Sequence, residues 1–76
     1  MAELLAWIVR RLVDEPDAVR VETEERDDAT VLRLHVAEGD VGKVIGRQGR
    51  IARALRTIVR ASAARRSGRT LLEIVE

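Results

Sequence analysis

Apolar side chains recur along this chain with two different periods. Over residues 2–14, Leu4, Leu5, Ile8, Val9 and Leu12 return at the 3.6-residue spacing of a helix. Glu3 stands in the first turn and Arg10 and Arg11 near the end, each suited to the helix dipole. Pro16 stops the helix, because the residue before a proline avoids helical backbone. Trp7 lies beside the apolar stripe and reads as a residue at the edge of the core or at an interface. The period then changes to two. Within residues 18–25, Val19, Val21 and Thr23 alternate with Arg20, Glu22 and Glu24, as in a half-buried strand. Arg26-Asp27-Asp28-Ala29 is a polar turn. Residues 30–37 alternate again, Leu32, Leu34 and Val36 against Val31, Arg33 and His35, so the two runs predict a hairpin. His35 falls on the polar side and reads as a surface residue with no partner in view.

The helical period returns after Glu38-Gly39-Asp40. Asp40 is a good N-cap for a short turn over residues 41–45. Gly46-Arg47-Gln48-Gly49 interrupts, and a longer helix is predicted from Arg50 to Arg66. Ile51, Leu55, Ile58 and Val59 form its apolar face, with Ser62 on the same stripe one turn later, positioned to bond back to the Ile58 carbonyl. Arg50, Arg53, Arg56 and Arg60 gather on the far side. Ser67-Gly68-Arg69 closes the helix with a glycine near the C-cap. A last strand is predicted over residues 70–75. The order is α-β-β-α-α-β, an α+β layer of helices on one face of a three-stranded sheet.

Composition narrows the function. The chain has 76 residues, enough for one small domain. It has no cysteine, so neither a disulfide nor a thiolate zinc site staples it. Trp7 is the sole aromatic residue, which excludes modules that stack bases on an aromatic sheet. One histidine and no cysteine leave little for metal binding or nucleophilic catalysis. No apolar run approaches a membrane span, and the N-terminus does not read as a signal peptide, so a cytoplasmic setting is expected.

The net charge of +1 hides an asymmetry. Residues 1–30 carry four Arg and nine acids, and residues 31–76 carry nine Arg, one Lys and four acids. Within residues 41–70 there are nine cations and no acid, which points to an anionic partner. Arginine in particular suits forked contacts to phosphate.

The centre of that basic stretch is Gly42-Lys43-Val44-Ile45-Gly46-Arg47-Gln48-Gly49-Arg50-Ile51. Two glycines three apart permit a sharp turn with exposed backbone, and the N-terminus of the next helix lies beside it. Lys43, Arg47, Arg50 and Arg53 surround the turn. A phosphate backbone lying across it fits this chemistry; a tight helix–helix turn with no ligand fits the spacing alone. The nucleotide-binding loop fails, because Val44 follows Gly42-Lys43 where Ser or Thr is needed. GxGxxG is absent, and no acid stands in the loop to hold magnesium.

Val44-Ile45-Gly46-Arg47-Gln48-Gly49 resembles the signature of the KH domain, an apolar pair followed by GXXG between two helices. The predicted element order resembles the type II, prokaryotic arrangement, and the likeness spans the chain. A domain of this length with Gly-Lys-Val-Ile-Gly-Arg-Gln-Gly-Arg-Ile-Ala is similar to the small bacterial KhpA-like family. The resemblance implies single-stranded RNA held in a narrow cleft by backbone contacts. Gly46 and Gly49 would admit the RNA backbone, Arg47 and Gln48 would face its phosphates, and Lys43, Arg50 and Arg53 would add charge. Val44 and Ile45 would help line an apolar cleft, with Arg26–Ala29 as the variable loop of the opposite wall. One position departs from the pattern: Ala52 stands where many KH domains place a larger aliphatic residue. The resemblance further implies an RNA chaperone with no cofactor that self-associates and pairs with a larger KH-containing protein. It also implies a link to RNA regulation, cell-wall homeostasis and cell elongation. The residues themselves leave two other binding classes open, a duplex DNA-binding helix-turn-helix and a module for acidic proteins. Ala54, Ala61, Ala63 and Ala64, lying off the apolar stripe, would permit close helix approach, or stand there simply as the best helix formers. An enzyme is the least expected class, for want of an acid–base pair, a nucleophile or a metal cluster.

Overall fold

A computed structural model describes residues 1–63 and 69–75 of the chain. Its elements are α1 (Ala2–Arg10), β1 (Arg20–Arg26), β2 (Ala29–His35), α2 (Val41–Ile45), α3 (Arg50–Ser62) and β3 (Arg69–Ile74). Single 3₁₀ turns at Pro16–Ala18, Glu38–Asp40 and Arg47–Gly49 join them. The order is the α-β-β-α-α-β predicted from the pattern. The end of the long helix expected beyond Ala63, and the Ser67-Gly68 closure, lie outside the described residues.

The sheet runs β1-β2-β3. β1 and β2 pair antiparallel from Arg20↔His35 to Arg26↔Ala29. The two-residue turn between them is possible because Asp27 takes a φ of 47°, a left-handed conformation that Asp tolerates. β2 and β3 pair parallel from Ala29↔Arg69 to Leu34↔Ile74, which requires the crossover that α2 and α3 supply. α1 packs on β1 and α3 on β3, so the helices share one face of the sheet.

That face holds the core: Leu5, Ala6, Val9, Val19, Leu32, Leu34, Val44, Leu55, Val59 and Leu72. The stripe on α1 is rotated from the expected one. Leu5, Ala6 and Val9 face inward, whereas Leu4 and Leu12 are exposed. The small alanine side of the helix meets the sheet, and the helix ends at Arg10, so Leu12 never reaches the core. On β1, Val21 is half-buried but Thr23 is exposed, as suits an edge strand only partly covered.

Asp40 departs most from expectation. It occupies the N-cap position of α2, but its carboxylate makes no cap. It is instead 2% exposed, accepting hydrogen bonds from the backbone N–H groups of Asp14 (3.2 Å) and Glu15 (3.0 Å). This clasp turns the chain out of α1 four residues early and ties that corner to the start of α2. Ser62 also departs from expectation: it is exposed, and the side-chain back-bond on α3 is made by Thr57, whose Oγ1 donates to the Arg53 carbonyl at 3.0 Å.

The open face of the sheet is ionic. Glu24 pairs with Arg26 and Arg33, and Arg33 also with Glu73. Glu22 pairs with Arg20 and with His35, the partner for His35 that the sequence pattern hid. Val31 lies on this face between its register partners Glu24 and Leu71, 4% exposed.

Candidate nucleic-acid interface

The turn between α2 and α3 is built from four residues with distinct demands. Gly46 sits at φ 75°, and a Cβ there would fall 2.7 Å from Cγ1 of Ile51 and 3.0 Å from its backbone nitrogen. Backbone angle and lack of space therefore both demand glycine. Gln48 (φ 57°) and Gly49 (φ 73°) then take consecutive left-handed conformations, and α3 begins. For glutamine that conformation is uncommon. It is held by α3 itself: Arg53 donates to the Gln48 carbonyl at 2.8 Å and Arg50 to its Oε1 at 3.3 Å. The Gly49 and Arg50 N–H groups are taken by the Gly46 and Arg47 carbonyls. Fewer bare amides face the turn than a free helix start offers, so the cations carry most of the charge it presents.

Those cations differ in how free they are. Arg47, Arg50 and Arg53 are exposed, and no carboxylate pairs with them among the described residues. Lys43 is bound to Asp14 at 3.3 Å, so an incoming phosphate must compete with that acid. Arg56 and Arg60 continue the same unpaired row along α3. With Arg53 and Thr57 they form one wall of a groove whose other wall is Thr70, Leu71 and Leu72 of β3. Leu71, 46% exposed, borders the groove at the strand edge, while its register with Val31 turns its side chain toward the open face. The groove combines an apolar strand edge with a cationic rim.

The structure brings Gly46, Arg47, Gln48, Gly49, Arg50 and Arg53 together as anticipated. Val44 is placed differently: it is fully buried in the core, so it anchors α2 rather than lining a cleft. Ile45 stays half-buried. The α3–β3 groove has β3 as its second wall, and Arg26–Ala29 is not among its lining residues. Ala52 is 4% exposed, a tightly packed position rather than a gap. Sequence reasoning placed Arg56 and Arg60 on the far side of the helix without seeing the groove. The parallel pairing of β3 with β2 creates that groove, and helical periodicity carries no trace of it.

The element order, the parallel β2–β3 pair and the glycine turn between α2 and α3 define a type II KH fold. The chain matches the family described as KhpA/KhpB, KH domain, over residues 2–74, and it belongs to that family. It is similar to the RNA-binding protein KhpA of Treponema pallidum, 51% identical over 97% of this chain and 92% of the relative. The RNA-binding protein KhpA of Borreliella burgdorferi is 49% identical over 97% and 90%. That of Listeria monocytogenes is 45% identical over the whole of both. No solved structure matches the chain.

Proposed function

We propose that this chain is a single, non-enzymatic RNA-binding domain that holds a short single-stranded segment across the Gly46–Gly49 turn. Gly46 and Gly49 let the RNA backbone approach, Arg47 and Gln48 meet its phosphates, and Lys43, Arg50 and Arg53 add charge around the turn. The bases run toward the α3–β3 groove, where Ile45 and Leu71 give apolar contact and Arg56 and Arg60 border the path. The observation that carries this reading is the unpaired arginine row of α3 leading from the glycine turn along an apolar strand edge. Membership of a family whose relatives are named RNA-binding proteins supports it. By the same kinship the domain acts as a cytoplasmic RNA chaperone. It self-associates or pairs with a larger KH-containing protein, in RNA regulation tied to cell-wall homeostasis and elongation.

The test is Arg47→Asp combined with Gln48→Asp. Aspartate tolerates the left-handed backbone at position 48, so the fold should survive nearly unchanged in thermal unfolding. Fluorescence anisotropy with a short single-stranded RNA should show binding lost. Retained binding refutes the loop assignment. Duplex DNA is the competitor in the same assay, and a clear preference for it would favour a helix-turn-helix mode instead.

A further inference from the structure

Lys43 is the only lysine of the chain; every other cation is an arginine. Lysine carries a compact point charge on a flexible stem, whereas arginine presents a planar fork. A lysine head can therefore pass from one anion to another without rebuilding a paired geometry. Lys43 also differs in its company. Asp14 Oδ2 lies 3.3 Å from its Nζ. Among the described residues, Arg47, Arg50, Arg53, Arg56 and Arg60 meet no carboxylate at all.

The acid beside Lys43 comes from far along the chain. Residues 41–70 contain none, and Asp14 lies beyond the end of α1. Asp40 brings it there. The buried Asp40 carboxylate accepts the Asp14 N–H at 3.2 Å and the Glu15 N–H at 3.0 Å. Asp40 immediately precedes α2, the helix that carries Lys43. The clasp fixes the Asp14 backbone beside Lys43 but leaves the carboxylate in solvent, its side chain 78% exposed. An ion pair so exposed is weak and exchanges readily.

A partner of this kind competes for Lys43 without locking it. A phosphate ion from solution gains one contact with Lys43 and must displace Asp14 to make it. A strand already seated across the Gly46–Gly49 turn meets Lys43 in what is in effect an intramolecular step, so its phosphate has the advantage over a free ion. We propose, resting on the RNA reading above, that Asp14 is a built-in competitor for Lys43. It withholds this cation from small phosphate anions and yields it to an RNA backbone held at the turn. Asp14 is then a specificity-determining residue that touches no RNA, and Asp40 is the positioning residue that holds it. When RNA takes Lys43, the freed Asp14 carboxylate gathers a cation from solution. That uptake offsets one of the ions RNA gives up, so the wild-type salt dependence is shallower than its phosphate contacts alone would make it.

The experiment is a double-mutant cycle on the full chain with Asp14→Asn and Lys43→Gln, read by anisotropy with a short single-stranded RNA. Asp14→Asn keeps the backbone N–H that Asp40 holds, so the clasp and the fold should persist. This variant should bind RNA about two- to fivefold tighter, the range of an exposed ion pair removed. Its slope of log K against log salt should steepen by as much as about 0.7. Both gains should vanish in the Lys43→Gln background. Asp17→Asn changes net charge equally, but Asp17 has no cation within ion-pair distance among the described residues. It should give a smaller gain that persists without Lys43. Inorganic phosphate, followed at the Lys43 side-chain resonances, should bind Asp14→Asn more tightly than the wild type, by a factor at least as large as the RNA gain. Unchanged or weaker RNA binding by Asp14→Asn, a gain no larger than that of Asp17→Asn, or a gain that survives Lys43→Gln each overturns the inference. The Arg47→Asp, Gln48→Asp variant tests the turn itself. Loss of binding there with no coupling between Asp14 and Lys43 would remove the competitor and keep the RNA site. Coupling with undiminished binding there would do the reverse.

Discussion

Gly46 and Gly49 share a positive φ but not a neighbourhood. Nothing lies within 4 Å of a Cβ added at Gly49, whereas one at Gly46 meets Ile51. Gly49→Ala should therefore cost only the left-handed backbone penalty, about 1–2 kcal/mol. Gly46→Ala should cost more, because Ile51 must also move. Urea unfolding of the two variants checks the order, and equal losses would show that the Ile51 contact is unimportant. The letters GXXG were legible because the need for glycine is local. The fate of Val44 was not, because its burial depends on the sheet beneath it.

Glu24 shows the same contrast with a sign that pH reveals. Its carboxyl is held below its ordinary value of 4.5, first by the hydrogen bond from Arg26, then by Arg33, with desolvation opposing both. A lowered folded value means that the ion pairs stabilise the fold fully above the ordinary glutamate range. The contribution fades as pH falls through the lowered value. Glu24→Gln should lower stability at about pH 7, and its deficit against the wild type should shrink as pH falls through the lowered value. A deficit that persisted in acid would assign the loss to packing rather than charge. Alternation placed Glu24 on the polar side of its strand; Arg26 stands two residues along that strand, but Arg33 appears only once the strands are in register.

At the scale of elements, the short α2 lies over residues 41–45 as its pattern predicts, while α1 stops at Arg10 instead of continuing to Asp14. The cause is Asp40, 25 and 26 residues away along the chain. A local pattern marks Asp40 as a cap but cannot say whose amides it caps. Asp40→Ala would leave the Asp14 and Glu15 N–H groups without their acceptor, at a cost of about 1–3 kcal/mol. Asp40→Asn keeps one carbonyl acceptor and should cost less. Hydrogen exchange at Asp14 and Glu15 is the direct measurement, and both amides should lose protection in the alanine variant. If protection were unchanged, the clasp would not be what ends α1.

Over the whole molecule, what matters is where charge is left unspent. The arginines of the open sheet face are committed to Glu22, Glu24 and Glu73, while those of α3 have no acid among the described residues. The acid-free stretch from 41 to 70 made the basic half of the chain legible. It did not reveal which arginines elsewhere were already neutralised, since that requires the strand register. RNA affinity should fall with salt, and each phosphate contact on a single strand adds about 0.7 to the slope of log K against log salt. Replacing Arg56 and Arg60 with glutamine should therefore flatten that slope by about 1.4 if both meet phosphates. Replacing Arg26 and Arg33 should lower stability and leave the slope alone. Anisotropy titrations at several salt concentrations separate the two pairs. An unchanged slope in the Arg56, Arg60 variant would move the RNA path off α3 and onto the turn alone. A flattened slope in the Arg26, Arg33 variant would bring the open sheet face into the interface.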